Sequence, residues 1–132
     1  MNNGETIKGL YEAFRNGDVP GVLAAMDPLI NWTEAEGFMY GGTYIGPDAI
    51  LENVFAKFAS EWEDFSAIPG HFVEEGNTVV ALGEYGGKYL RTGRNLTVAF
   101  AHVWTLRDGK VTRFVQFTDT LVIARMLEPE QE

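Results

Sequence analysis

Phe100-Ala-His102-Val-Trp104-Thr-Leu106-Arg-Asp108-Gly109-Lys-Val111-Thr-Arg-Phe114-Val-Gln116-Phe-Thr-Asp119 is the stretch on which the fold of this chain turns. Two runs of alternating apolar residues flank Asp108-Gly109, a dipeptide suited to the positive φ angles of a tight hairpin. The stretch therefore predicts two antiparallel strands. It also disperses His102, Gln116 and Asp119 among aromatic rings. Polar groups are expensive to bury without partners, so their place in an apolar sheet points to the wall of a pocket. Phe100, His102 and Trp104 share one strand face because side chains alternate. On the returning strand Gln116 aligns with Phe114 and Thr118, whereas Asp119 aligns with Val115 and Phe117. Without a bulge, Gln116 and Asp119 cannot both face inward.

Working back towards the N-terminus, Ile7, Leu10, Tyr11 and Phe14 recur at helical spacing until Asn16-Gly17-Asp18 breaks the pattern. Asp18 can cap a second short helix, with Pro20 in its first turn, reaching about Met26. Residues 30–36 alternate as a strand that puts Ile30, Trp32, Glu34 and Glu36 on one face. Residues 37–46 read as a loop carrying Phe38, Tyr40 and Tyr44. Gly46-Pro47-Asp48 opens a third helix with a buried stripe of Ile50, Leu51, Val54, Phe55 and Phe58. Strands are predicted over 64–75, 77–86, 88–106 and 111–119, with turns at Glu75-Gly76-Asn77 and Gly86-Gly87 and a break near Thr92-Gly93-Arg94. A last helix is expected over 120–127, followed by a frayed acidic tail over 128–132. Helices first and hairpin-linked strands afterwards mean an α+β fold, with helices packed on one face of an antiparallel sheet. A strongly twisted sheet closed by helices encloses a cone-shaped space.

The 132 residues, 45% of them hydrophobic, suffice for one domain, 1–132, with its own core. The absence of cysteine removes disulfides, Cys-based zinc sites and thiol nucleophiles together. Nine Phe, five Tyr and three Trp are enough to line a cavity. A net charge of −9 is a poor match for nucleic acid or an anionic membrane, and the basic residues are scattered. No apolar run approaches membrane-spanning length and no leader pattern opens the chain, so a cytoplasmic protein is expected. His71 has no partner at ligand spacing, and no dinucleotide loop or nucleophile elbow is present, so neither metal nor cofactor is expected.

The helix–Asn16-Gly17-Asp18–helix opening, Tyr44-Ile-Gly46-Pro47-Asp48-Ala-Ile50, the Ala101–Val111 hairpin and Phe117-Thr-Asp119-Thr together resemble the nuclear-transport-factor-2-like (NTF2-like) superfamily. Within it they resemble the ketosteroid-isomerase-related, SnoaL-like polyketide cyclase branch. The resemblance covers nearly the whole chain and implies a cone-shaped, cystatin-like fold and a homodimer through the outer sheet face. It does not fix function, because the superfamily holds isomerases, cyclases, dehydratases, hydrolases and non-catalytic domains.

By the same resemblance, Glu34 falls where ketosteroid isomerases keep their proton-shuttling aspartate. A carboxylate beside Trp32 and facing an apolar cavity would have its pKa raised, as such a base needs. His102 falls where the isomerases carry an acidic oxyanion donor, and an imidazole there could hydrogen-bond an enolate oxygen. Asp119 resembles the acid/base carboxylate of cyclase-like members, and it also directly precedes a helix that it could cap. The isomerases' helix tyrosine has its register near Leu10, with Tyr11 one position and about 100° away. Tyr40, Tyr44, Tyr85 and Tyr89 are substitutes among which the sequence does not choose. Trp32, Tyr40, Tyr44, Phe100, Trp104, Phe114 and Gln116 complete the expected binding wall. The expected function is cofactor-free proton abstraction next to a carbonyl of a small apolar substrate, by a ketosteroid-isomerase-like isomerase or polyketide-cyclase-like lyase. The alternative is a non-catalytic ligand-binding or structural dimeric domain.

Overall fold

The protein is described by a computed structural model covering residues 2–128. Helix α1 (Asn3–Arg15) begins where the Asn2 side chain accepts the Glu5 N–H at 2.8 Å, and it buries Ile7, Leu10 and Tyr11. Asp18 accepts the Gly21 N–H at 3.0 Å and caps α2 (Val19–Ala24). The chain then enters β1 (Met26–Glu34), which starts earlier than the sequence pattern indicates and stops before Glu36. Four residues expected in a loop form β2 (Gly42–Ile45), which pairs with β1 from Asn31↔Ile45 to Glu34↔Gly42.

The third helix is composite: α3 (Pro47–Ile50), a π-helical turn (Leu51–Phe55) and α4 (Ala56–Glu61) run on without a break. Strands β3 (Trp62–Glu75), β4 (Thr78–Tyr89), β5 (Arg94–Arg107) and β6 (Lys110–Thr118) follow, then α5 (Thr120–Leu127). The sheet order is β2-β1-β6-β5-β4-β3. Asp108 and Gly109 both have positive φ, 51° and 77°, as the tight hairpin between β5 and β6 demands.

Two expectations are corrected. The sheet is not wholly antiparallel: β1 runs parallel to β6, with Trp32 opposite Phe114. Most of the chain separates these two strands, so no short turn dictates their direction. Gly86 and Gly87 do not turn the chain but lie inside β4. There Gly87 (φ +141°) passes so close to β3 that an added Cβ would meet Phe65 Cα at 3.0 Å, beside a shift in strand register. The chain turns at residues 90–93, at the break expected near Thr92-Gly93-Arg94, where Gly93 N–H donates to Tyr89 O at 2.8 Å. Beyond Glu128, the tail expected to fray lies outside the described residues.

The helices pack against the inner sheet face, α1 on β3 and β4 and α4 on β3. Trp104, Phe114, Ile7, Ile30, Ile50 and Leu106 are fully buried between the layers. On the outer face Leu82, Ala101 and Phe117 stand in register across β4, β5 and β6, with Leu82 40% and Phe117 55% exposed. No helix among the described residues is long and apolar enough to cross a membrane.

Candidate active site

Glu34, His102 and Gln116 are the buried polar side chains of the interior, and all three belong to one cluster. Alternation along β1 turns Ile30, Trp32 and Glu34 inward together, as the sequence predicts. The Glu34 carboxylate is 3% exposed; its Oε1 accepts the Trp32 indole N–H at 3.0 Å. Its Oε2 is the one buried side-chain polar atom without a partner among the described residues. Burial pushes the Glu34 pKa up to about 7, an effect that the Trp32 bond partly opposes.

On β5 the ring of His102 stacks on Phe100, centroids 3.9 Å apart. Gly83 makes room for this stack: it faces Phe100 across the ladder, where a Cβ would meet Phe100 Cζ at 2.6 Å and Ile68 O at 2.3 Å. Both imidazole nitrogens are engaged, Nδ1 by the Tyr11 hydroxyl and Nε2 by the Tyr85 hydroxyl, each at 2.5 Å. Burial lowers the His102 pKa to about 3, so the ring is neutral at neutral pH. It therefore presents no N–H to the cavity. The hydroxyls that hold it, those of Tyr11 and Tyr85, belong to residues lining the cavity.

Each tyrosine has a further fixed partner. Trp104 Nε1–H donates to the Tyr11 hydroxyl at 3.0 Å, and Gln116 Nε2–H donates to the Tyr85 hydroxyl at 2.8 Å. The orientation of Gln116 is unambiguous, since its Oε1 accepts the Ala35 N–H at 2.9 Å and a backbone N–H can only donate. Burial raises the pKa of both hydroxyls, and the nearby Glu34 charge contributes at Tyr85. Both remain protonated.

These groups surround a cavity with a free volume of about 40 Å³. Glu34, His102, Tyr11 and Tyr85 supply its polar atoms, while Trp32, Trp104 and Phe114 are among its apolar walls. The π-helical turn delivers Phe55 to the same cavity, edge-on to Trp32 at 5.6 Å. Such turns frequently occur at functional sites.

Other expected wall residues lie elsewhere. Phe100 and Gln116 back His102 and Tyr85 from behind. Tyr40 donates to Glu61 and accepts from Trp62 Nε1, and Tyr44 donates to the Tyr40 carbonyl at 2.7 Å; neither lines the cavity. Asp119 is corrected more sharply. Its exposed carboxylate accepts the N–H groups of Leu121 and Val122 at 3.1 and 3.2 Å, capping α5. Parity along β6 selects Gln116 for the interior and excludes Asp119.

Tyr11 is the residue that a strict helical register excluded. Ile7, Leu10 and Tyr11 all fall within one broad buried stripe, so a rotation of about 100° does not remove Tyr11 from the interior. Tyr85 had a usable signal in its alternation with Val79, Ala81 and Gly83 on β4.

A curved sheet closed by helices around an inward carboxylate and a tyrosine-held imidazole defines an NTF2-like protein. The SnoaL-like domain family matches residues 7–114, and the chain belongs to that family. It is similar to an NTF2-like protein of Burkholderia thailandensis E264, at 36% identity over 98% of this chain and 99% of that one, with a TM-score of 0.94. It is also similar to TerC, a protein co-crystallised with polyporic acid, at 35% identity over 94% and 96% of the two chains, TM-score 0.85. A Catenulispora acidiphila DSM 44928 protein with a ketosteroid isomerase-like fold, 15% identical, shares the fold alone; 86% of this chain and 84% of that one align with a TM-score of 0.74. No curated protein matches the chain.

Proposed function

We propose that the cavity binds a small, mostly apolar carbonyl compound and that Glu34 removes a proton from the carbon next to the carbonyl. The electron pair of the broken C–H bond becomes a carbon–carbon π bond, the carbonyl π pair moves to oxygen, and a hydroxyl of the Tyr11–His102–Tyr85 cluster holds the resulting enolate. In a β,γ-unsaturated ketone the enolate extends into a dienolate and Glu34 returns the proton at the γ-carbon, so an isomerisation closes without a co-reactant. The observation that carries this reading is the unpartnered Glu34 Oε2, buried at the cavity with its pKa moved into the working range of a base.

The test is deuterium exchange at the α-carbon of α-tetralone in D2O, followed by NMR. The wild-type protein is expected to accelerate exchange and Glu34→Gln to lose the acceleration. A wild type no faster than buffer would remove the enzymatic reading.

A second reading is a non-catalytic binder. It is favoured by the co-crystallisation of polyporic acid with a relative. Saturable binding of polyporic acid, recovered unchanged, with no exchange on α-tetralone would support it. Under either reading we propose a homodimer through the outer face at Leu82, Ala101 and Phe117. Leu82→Glu should then convert a dimer to a monomer in light scattering, and an unchanged mass would refute that interface.

A further inference from the structure

Counting the hydrogens around His102 leaves one over. A neutral imidazole carries a single N–H, so of its two bonds to tyrosine one is N–H to oxygen and the other O–H to nitrogen. The indole of Trp104 and the oriented amide of Gln116 can only donate, so each tyrosine oxygen already accepts one bond. One hydroxyl donates to the ring; the other accepts from it and keeps its own O–H hydrogen without a protein acceptor. The cavity thus holds one spare donor, and the Glu34 Oε2 is its one spare acceptor.

We propose that the spare donor is Tyr85: His102 is the Nε2–H tautomer, its N–H directed at the Tyr85 oxygen, so that the Tyr85 hydroxyl hydrogen faces the ligand's carbonyl oxygen. Tyr11 then closes the chain from Trp104 N–H through its own hydroxyl to Nδ1. The choice between the tyrosines follows from position. Tyr85 is tied to the Glu34 end of β1: the Gln116 amide joins its hydroxyl to the N–H of Ala35, the residue after Glu34, whose negative charge draws the hydroxyl hydrogen to the cavity side. The Tyr11 hydroxyl is tied instead to Trp104, and the residue also borders a groove beside Lys8 and Arg15.

In this arrangement Tyr85 touches the ligand, while His102 is a positioning residue that fixes the direction of the hydroxyl. The inference rests on the function proposed above and specifies its ligand: one oxygen that accepts from Tyr85, and an acidic C–H within reach of Glu34. A hydroxyl whose ionisation is suppressed by burial remains a donor across the accessible pH range.

The tautomer is measured on the wild-type protein by long-range 1H–15N correlation of the imidazoles. The chain has two histidines, and exposed His71 provides the reference. A protonated Nε2 with a bare Nδ1 is expected at neutral pH, and a protonated Nδ1 would overturn the choice of Tyr85. The second measurement is binding of 4-nitrophenol, an aromatic oxyanion mimic. Tyr85→Phe should weaken it roughly 10- to 100-fold and Tyr11→Phe by much less; the reverse order overturns the proposal. A wild type that binds no nitrophenol and exchanges no α-tetralone would instead defeat the reading of the site, taking the donor role with it. The tautomer separates the two failures.

Discussion

Gln116 Nε2 donates to the Tyr85 hydroxyl at 2.8 Å while the other end of the same amide accepts the backbone N–H of Ala35. One side chain on β6 thereby ties the residue that follows β1 to β4, although β5 lies between β6 and β4. Gln116→Leu removes both bonds and leaves a buried N–H and a buried hydroxyl short of a partner. We expect a loss of about 1–3 kcal/mol in urea unfolding. A variant as stable as wild type would show that the amide bridge is not structural.

The pH dependence of proton exchange should report Glu34. The base is active when ionised, so the α-tetralone rate should rise with pH through about 7 and then level off. Glu34→Gln should lower the rate by a factor of about 10²–10⁴ and abolish that rise. A profile that keeps its shape in the variant would assign the titration to another group.

Stability should also depend on the same proton. The folded-state pKa of Glu34 is raised from 4.5 to about 7, so its contribution is full below pH 4.5 and is lost as pH rises through 7. His102 acts oppositely: its pKa falls from 6.5 to about 3, so stability is lost as pH drops from 6.5 towards 3. The two slopes offset each other between about pH 4.5 and 6.5. Glu34→Gln should therefore gain relative to wild type by roughly 3 kcal/mol between pH 4.5 and 8. A stability difference that stays flat with pH would mean that Glu34 ionises freely in the fold.

Gly83 is a packing position disguised as a strand glycine. In Gly83→Ala the new methyl would fall 2.3 Å from Ile68 O and 2.8 Å from Pro69 Cα, both backbone atoms. Relief would have to come from separating β3 and β4 or moving Phe100 off His102. We expect a destabilisation of about 1–3 kcal/mol by thermal or chemical unfolding. A wild-type Tm would indicate that the ladder yields freely at this point.

Asp119→Ala should separate the cap from the chemistry. Losing the two bonds to Leu121 and Val122 should reduce stability by about 1 kcal/mol. The exchange rate measured on folded protein should remain that of wild type. A large fall in rate would return Asp119 to the site.

Local rules were sufficient for much of this molecule. Asp108-Gly109 set the last hairpin, Asp18 and Asp119 marked helix starts, and alternation placed Trp32 with Glu34 and Phe100 with His102 and Trp104. These features depend on neighbours within a few residues, and a linear sequence displays such neighbours. The resemblance of several motifs together carried the fold class further than any one of them.

What the sequence by itself determined is the order of elements, β2 excepted, and the face each side chain takes within its strand, because backbone sterics and alternation act locally. Only the tertiary structure decided which faces meet: that β1 lies parallel to β6, that Tyr11 and Tyr85 converge on one imidazole, and that Glu34 is left with an oxygen unpaired. Those relations join residues as far as 91 positions apart. They follow from how a curved sheet and its helices fill one interior, where each polar atom must find a partner or meet the cavity.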